Sequence, residues 1–408
     1  MRIQIVSLNF APERTGTGQT IAARAAYLAR AGHQVDVVAG FPHYPEWRVH
    51  EGYRRRPYQR EVIEGVRVLR CWHHVPSRSH TAGRMLIEAS FGLTSLAAHA
   101  LPRPDVVLGV LPILSDGVAA WLLAKRHRAP FGLLVQDLSA RAATQSGMTG
   151  AKALAGPAGR VEAFLARRAD GVAIIAAGFR APLLEYGARP ERLHLVPNFT
   201  PVEAPSIPRA EVRARLGWPQ DRPLVLHSGN MGYKQALEHV VEAARLARDA
   251  GSATEFVLVG DGNQRAMLQD LVARHHLSNV RFMPLQDASI FPSMLGAADV
   301  LVLNQRATVT DMSLPGKLST YLASGRPVVA AVHEASETAR ELRRAGADCI
   351  VRPEDPAALL AGIEALIAEP ARAQALGERG QRFALDEFAL PRIEAALDGF
   401  IEGLVAGR

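Results

Sequence analysis

The sequence predicts a doubly wound α/β protein made of two domains. Three observations carry the prediction. Hydrophobic strands alternate with helical patterns from end to end, as parallel sheets covered by helices require. At 408 residues the chain suits two domains of about 200 residues each. The pattern then stops once, at PNFTPVEAPSIP (Pro197 to Pro208), where four prolines in twelve residues leave no periodicity, and restarts beyond it. The expected domains are residues 1–200 and 201–390, both Rossmann-like and facing each other across a central cleft. The closing helix, 391–408, is expected to pack back toward the first domain.

In the first domain Arg2 to Leu8 reads as a strand, Asn9 to Gln19 as a loop and about Thr20 to Arg30 as a helix. Gln34 to Ala39 is the second strand, and FPHYPEWRVHEGYRRRPY after it is an irregular excursion with a basic cluster at Arg54, Arg55 and Arg56. Strands follow at Val66 to Cys71, Asp105 to Val110, Phe131 to Val135, Gly171 to Ile175 and Leu193 to Val196. Helical patterns lie between them at Met85 to Ala100, Gly117 to Arg128, Val161 to Arg168 and Phe179 to Tyr186. Met85 to Ala100 is mostly apolar and reads as a core helix, the alternative being a helix resting on an anionic membrane beside the basic cluster. In the second domain the strands are Leu224 to His227, Phe256 to Val259, Val280 to Met283, Val300 to Leu303 and Val328 to Ala331. Helices at about Ala357 to Ala368 and Pro391 to Val405 close the chain.

Composition narrows the function classes. Hydrophobic residues at 48% and charged residues at 21% describe a globular chain. The N-terminal apolar run is too short for a signal peptide and no stretch of about 18 apolar residues follows, so a cytoplasmic protein is expected. Cys71 and Cys349 are the only cysteines and lie in opposite halves, which indicates neither a disulfide framework nor a cysteine metal site. Residues 1–200 carry 25 Lys+Arg against 14 Asp+Glu, a balance of +11, whereas the remainder carries 22 against 26, a balance of −4. The basic half favours anionic partners such as a nucleotide or an acidic lipid surface. Nucleic acid is not expected, because the basic residues are scattered and no recognition motif occurs.

The strongest local signal is DMSLPGKLSTYLASGRPVVAA, Asp311 to Ala331. A polar loop (Asp311, Ser313, Leu314, Pro315, Gly316, Lys317) feeds a short helix, then a turn at Gly325 and Pro327 leads into a strand. Free backbone N–H groups at a helix start, with a lysine at the junction, suit an anionic group. In HSGNMGYKQALE, Gly229, Asn230 and Gly232 follow a strand and Lys234 opens the next helix, where a cation is unfavourable unless it has an anionic partner. Gly260, Asp261 and Gly262 follow another strand, at the carboxyl end where α/β sheets bind ligands.

Gly16, Thr17 and Gly18 sit after the first strand and suit a phosphate or acceptor loop, because Ile21 occupies the third glycine position of a dinucleotide fingerprint and no acid follows the second strand. Gln136 and Asp137 follow the strand FGLLV in the same sense; an isolated Asp there is otherwise a cap or turn residue. His43, His73, His74, His275 and His276 make no metal-ligand spacing, and adjacent histidines read as surface residues. No G-x-S-x-G, Walker A or HExxH pattern occurs.

Taken together, NFAPERTGTG, AGHQVDVVAGFPHYPEW, LVQDL, VPNF, SGNMGYKQALE, LVGDGNQRAML, LPGKL and ASGRPVVA resemble the retaining glycosyltransferases of family 4, with the GT-B fold, and within them the colanic-acid and O-antigen type. The matching stretches run through nearly the whole chain. The resemblance implies a UDP- or GDP-type sugar nucleotide held mainly by the second domain, through Gly229, Asn230, Gly232, Lys234, Gly260, Asp261, Gly262 and the Asp311 to Thr320 segment. It implies an acceptor, a saccharide or lipid-linked saccharide, held mainly by the first domain near Gly16 to Gly18, His43, Tyr44, Gln136 and Asp137. Lys234 and Lys317 would meet the donor diphosphate, Asp311 would contact the donor sugar, and Lys234, Asp311 and Asp137 are the expected catalytic residues. Neither metal nor cofactor is expected. Three positions depart from the family pattern: Thr320 stands where a second glutamate is usual, Asn230 where an arginine is common, and Gln136 where a histidine often precedes the aspartate. A nonhydrolysing sugar-nucleotide epimerase, a phosphorylase or a non-catalytic nucleotide-sugar-binding subunit are the competing readings.

Overall fold

The computed structural model describes the chain apart from residues 14–15, 44–46, 54–55, 77–80, 141–150, 199–202, 310–315 and 408, and gives backbone alone at 81 and 151–155. It divides into two units, Met1–Phe199 with Ile393–Arg408, and Thr200–Arg392.

The strands of the first unit are β1 (Arg2–Val6), β2 (Gln34–Gly40), β3 (Tyr58–Ile63), β4 (Val66–Cys71), β5 (Val106–Leu111), β6 (Phe131–Val135), β7 (Gly171–Ile174) and β8 (Leu193–Leu195). They form one sheet in the order β3-β4-β2-β1-β5-β6-β7-β8, parallel except where β3 pairs antiparallel with β4. The central strands are continuous apolar runs, and β5 is buried at every residue, because helices cover both faces. The sequence pattern assigns no strand to β3, which starts at the last residue of the irregular excursion and fills the gap before Val66. Its residues YQREVI alternate exposed with half-buried, and such a polar edge strand has little hydrophobic signal.

Four helices of this unit matter below: α1 (Gly16–Arg30), α2 (Thr81–Ser95), α3 (Leu114–His127) and α4 (Ala151–Arg168). α1 begins earlier than expected, so Gly16, Thr17 and Gly18 form its first turn and not the preceding loop. α2 also begins early and gives way to a 3-10 turn, Leu96–Ala100, in place of one helix to Ala100.

Chain-terminal residues complete this unit's core. In the helix Leu390–Ala406, Leu397, Phe400, Ile401 and Leu404 pack with Ile5, Val106, Leu134 and Ala173. The sheet makes room for them at Gly171, where a Cβ would stand 2.9 Å from the Leu404 side chain and 3.0 Å from the Phe400 ring. Tyr27 of α1 also donates a hydrogen bond to Asp398, at 2.5 Å.

The second unit holds β9 (Leu224–Ser228), β10 (Glu255–Val259), β11 (Val280–Met283), β12 (Val300–Asn304), β13 (Val328–Ala331) and β14 (Cys349–Val351), all parallel, in the order β11-β10-β9-β12-β13-β14. β14 has three half-buried residues, too few for a readable pattern. The helix Pro370–Glu387 was likewise not anticipated; Gly377 and Gly380 let it lie close to Gly325 and Leu322. Separate apolar clusters cover the two faces of this sheet. In each unit the strand order reverses direction once, between β1 and β5 and between β9 and β12. Open α/β sheets bind ligands at the carboxyl ends of the strands flanking such a point. The expectation of two Rossmann-like parallel-sheet domains agrees with this architecture.

Phe400 is 1% exposed. The Phe400→Ala variant is expected to destabilise the first unit by about 3–5 kcal/mol, a cost typical of large core truncations, measured by urea unfolding.

Candidate functional site

At the end of β9 two glycine loops interlock. Gly229 has φ 128° and Gly260, after β10, has φ 136°, both in the region that favours glycine. A Cβ on Gly260 would lie 2.0 Å from the Gly229 carbonyl oxygen, and one on Gly262 would lie 2.5 Å from that of Met231. Gly229 N donates to Val259 O (2.8 Å), Met231 N to Asp261 O (2.7 Å) and Gln264 N to Met231 O (3.0 Å). These glycines therefore serve a backbone-to-backbone seam. Asn230 and Asp261 are exposed along it, and the Asp261 carboxylate accepts from Gly262 N at 2.8 Å.

Lys317 reaches this seam from the helix Lys317–Ala323. Its Nζ is 3.4 Å from Nε2 of His227 and 3.1 Å from where a Cβ on Gly229 would stand. It forms no ion pair with a described residue, and burial pushes its pKa down to about 8. His227, 1% exposed, is held well below its usual range by burial, then by the Lys317 charge. A neutral imidazole beside an ammonium accepts its hydrogen bond. Two turns of helix are fastened to β9 by Tyr321, whose buried hydroxyl accepts from Ser228 N (2.6 Å) and donates to Ser228 O (3.1 Å). Thr320 donates its hydroxyl to Lys317 O at 2.9 Å. Asp311, Ser313, Leu314, Pro315 and, in the first unit, Tyr44 lie outside the described residues; Gly316 is exposed.

Lys234 occupies a single turn, Tyr233–Gln235, preceded by Gly232 and closed by Ala236 at φ 46°. Residues just past the switch point hold this turn. Asn304 Nδ2 donates to Gln235 O and to Ala236 O, both at 2.8 Å. Arg306 N donates to Lys234 O (3.0 Å) and Arg306 Nε to Tyr233 O (2.9 Å). The Lys234 side chain is half-buried and has no ion-pair partner among the described residues. Gly229 to Lys234, Gly260 to Gly262 and Gly316 to Thr320 thus gather around the carboxyl ends of β9 and β10.

In the first unit, His43 and His73 are buried, at 3% and 4% exposure, with ring centroids 4.6 Å apart; His73 is therefore not a surface residue. Burial lowers both pKa values, that of His73 to about 4. Glu13, also buried, accepts from His43 N (2.9 Å) and from Asn9 Nδ2 (2.9 Å), tying the segment before α1 to the loop after β2. At the switch point Asp116, in the first turn of α3, accepts from Leu8 N at 2.9 Å, and burial raises its carboxyl well above the ordinary range. Gln136 is half-buried, and its Nε2 has no partner among the described residues. Asp137 accepts from Leu138 N at 2.8 Å. Nearby, Glu162 of α4 accepts from Ser139 N and, at 3.3 Å, from the Tyr186 hydroxyl, and burial pushes its carboxyl up to about 7. Nothing in the sequence pattern singles out Glu13, Asp116, Glu162, His227, Asn304 or Arg306, although Glu13 and His227 sit inside the quoted stretches NFAPERTGTG and HSGNMGYKQALE. Among the described residues no group of three His, Cys, Asp or Glu side chains could hold a metal ion.

The chain and its fold have counterparts among known proteins. Residues 15–198 match the family model of the glycosyl transferase 4-like domain, and residues 222–369 that of the glycosyl transferases group 1. The Escherichia coli K12 protein WcaI, whose name assigns it to colanic acid biosynthesis as a glycosyl transferase, is 32% identical over 383 residues, 91% of this chain and 93% of that protein. The 2-deoxystreptamine glucosyltransferase of Streptomyces kanamyceticus is 26% identical over 239 residues, 56% of this chain and 59% of that one. Sucrose-phosphate synthase from Thermosynechococcus elongatus superposes with a TM-score of 0.79 at 20% identity, covering 100% of both chains. Anabaena HepE gives 0.72 at 17% identity, covering 98% of this chain and 100% of that one. Sheets, loops and neighbours define a GT-B glycosyltransferase. The chain belongs to glycosyltransferase family 4, in the group of the colanic-acid type, and is a glycosyl-transferring enzyme.

The lowered pKa of Lys317 gives a signed expectation. The cation is fully present well below pH 8, half lost near pH 8 and absent well above it, and a bound anion draws the value back toward the ordinary 10.5. Calorimetric affinity for UDP or GDP should fall as pH rises from about 8, by up to about tenfold per unit. The Lys317→Met variant should bind more weakly with a flatter profile, and a wild-type affinity constant from pH 7 to about 9.5 would refute the assignment.

Proposed function

We propose that this enzyme is a retaining, metal-independent transferase that moves a sugar from a UDP- or GDP-type nucleotide sugar to a saccharide or lipid-linked saccharide acceptor in cell-surface polysaccharide biosynthesis. The observation that carries the reading is the pair of lysines, Lys234 and Lys317, held beside interlocked glycine loops without an ion-pair partner among the described residues. Two fixed cations at strand carboxyl ends suit a diphosphate. HepE, solved with UDP and with UDP-glucose, and WcaI, named for colanic acid, support the donor class and the pathway class.

In this reading the bond from the anomeric carbon to the diphosphate oxygen breaks and the acceptor hydroxyl oxygen forms the new bond on the same face. The hydroxyl proton passes to the departing phosphate oxygen, so no protein nucleophile is needed. Charge builds on the diphosphate as the sugar becomes oxocarbenium-like, and Lys234, Lys317 and nearby backbone N–H groups stabilise it in place. Asp311 contacts the donor sugar. Thr320 leaves the usual second carboxylate contact to the ribose unfilled. Gly16 to Gly18, His43, Tyr44, Gln136 and Asp137 receive the acceptor, with Asp137 at the reacting hydroxyl. No cofactor takes part.

A membrane-facing acceptor side fits α2. Its inner face buries Ile87 and Phe91, while Met85, Leu86 and Leu93 are 55%, 54% and 74% exposed. The helix is therefore both a core element and an apolar surface. Arg84 on the same helix and Arg60 on β3 make no ion pair among the described residues, leaving positive charge for anionic headgroups. No helix among the described residues is long and apolar enough to cross a membrane.

Thermal-shift screening of UDP-, GDP-, TDP- and CMP-sugars tests the donor class, since a bound donor stabilises the fold by mass action. Donor incubated alone separates the epimerase reading, which yields a changed sugar nucleotide without acceptor. Lys234→Ala is expected to lower transfer by about 100-fold or more at saturating donor, and unchanged transfer would sink its assigned role. Flotation with anionic vesicles should recover the wild type and lose a Met85→Glu, Leu86→Glu, Leu93→Glu variant; equal recovery of both would refute the membrane face.

A further inference from the structure

Tyr233 is 47% exposed, yet both its carbonyl and its ring are held by one residue, Arg306. Its carbonyl accepts from Arg306 Nε at 2.9 Å, and the Arg306 guanidinium carbon stands 3.9 Å from the centre of its ring. That guanidinium is itself pinned by Glu238 at 2.5 Å and by Glu354 at 3.5 Å. Three residues on, Ala236 adopts a left-handed conformation at φ 46°, which costs a residue with a Cβ about 1–2 kcal/mol. Asn304 holds that strained turn through its two carbonyl bonds at 2.8 Å. Strain persists only where the surroundings over-determine it, and here its effect is to fix an exposed aromatic ring next to Lys234.

The cation covers one face of the ring, so the exposed area belongs to the edge and the other face. A flat apolar face beside a diphosphate-binding lysine matches the C–H face of a pyranose, whose hydrogens carry the partial positive charge that an aromatic face attracts. We propose that Tyr233, backed by Arg306, is a stacking platform for a pyranose ring. The platform rests on the sugar-nucleotide reading above and assigns within it the contact to the sugar. Arg306 is a positioning residue. It sets the ring plane and, through Lys234 O, the height of the lysine.

The test uses the full chain as wild type, Tyr233→Phe and Tyr233→Ala. Saturation-transfer NMR with a panel of methyl pyranosides reads sugar contact directly, and calorimetry with UDP and GDP reads the nucleotide site separately. Sugar signal is expected in the wild type and in Tyr233→Phe, which keeps the ring, and is expected to vanish in Tyr233→Ala, with nucleotide affinity unchanged in all three. With the nucleotide sugar that stabilises the enzyme, Tyr233→Ala should raise one KM by about tenfold: the donor's if the donor sugar stacks, the acceptor's if the acceptor sugar does. Sugar signal that survives in Tyr233→Ala, or is absent from the wild type across the panel, overturns the platform. So does nucleotide affinity that falls with Tyr233→Ala, which would mean a nucleobase stack or a collapsed turn. A wild type that binds no nucleotide but shows Tyr233-dependent sugar signal leaves the platform standing and refutes the sugar-nucleotide reading.

Discussion

A Cβ on Gly260 would stand 2.0 Å from the Gly229 carbonyl oxygen, and the loops at the carboxyl ends of β9 and β10 are built on that close approach. Parallel strands β9 and β10 end side by side, and the loops leaving them must either splay apart or share backbone hydrogen bonds. Positive φ at both glycines permits the second solution. The bonds from Gly229 N to Val259 O and from Met231 N to Asp261 O leave a continuous ledge of main chain at the carboxyl end of the sheet. A side chain at Gly260 would push the ledge apart, whereas one at Gly229 would crowd the Lys317 ammonium and strain the backbone at φ 128°.

Cations are then brought to the ledge by two different physical routes. Lys317 comes from a helix fastened through Tyr321 and rests against His227, a neutral acceptor that leaves the positive charge uncompensated among the described residues. Desolvation disfavours that charge, which lowers the pKa and makes an arriving anion a favourable partner. Lys234 comes from a turn whose carbonyls are spoken for by Asn304 and Arg306, so its backbone cannot relax when charge develops on a ligand. In the proposed reaction, fixed positive groups of this kind would favour a leaving diphosphate because little reorganisation is needed at the moment of reaction.

The first unit uses its buried ionisable groups for a different purpose. Glu13 joins the loop after β2 to the segment leading into α1, Asp116 reaches from α3 to the residue after β1, and Glu162 caps the segment that follows Asp137. Each buried carboxyl accepts main-chain N–H groups from a neighbouring loop. The effect is a set of strand-end loops stapled to one another from below, with His43 and His73 kept neutral by burial. The same unit borrows its last core residues from the chain terminus, where Phe400 and Leu404 fill the space left by Gly132 and Gly171.

Much of this was legible in the chain alone. Parallel strands covered on both faces must be continuous apolar runs, so their number and spacing betray two doubly wound sheets. Glycines just after such runs, as at Gly229 and Gly260, and lysines opening a turn or helix, as at Lys234 and Lys317, mark the carboxyl ends of the strands, where α/β sheets bind ligands. What the sequence did not carry lies where meaning comes from a distant partner or from a weak pattern. His227 acts on Lys317 across 90 residues and Arg306 on Tyr233 across 73, and neither residue type at its position signals anything by itself. His73 looked like one of two adjacent surface histidines until the packing of β2 against β4 placed it beside His43. β3 and β14 escaped notice because an edge strand buries too little to impose hydrophobic periodicity. Local chemistry fixed the fold and the ends of its strands, and only long-range packing decided which neutral, charged or aromatic group each lysine would meet.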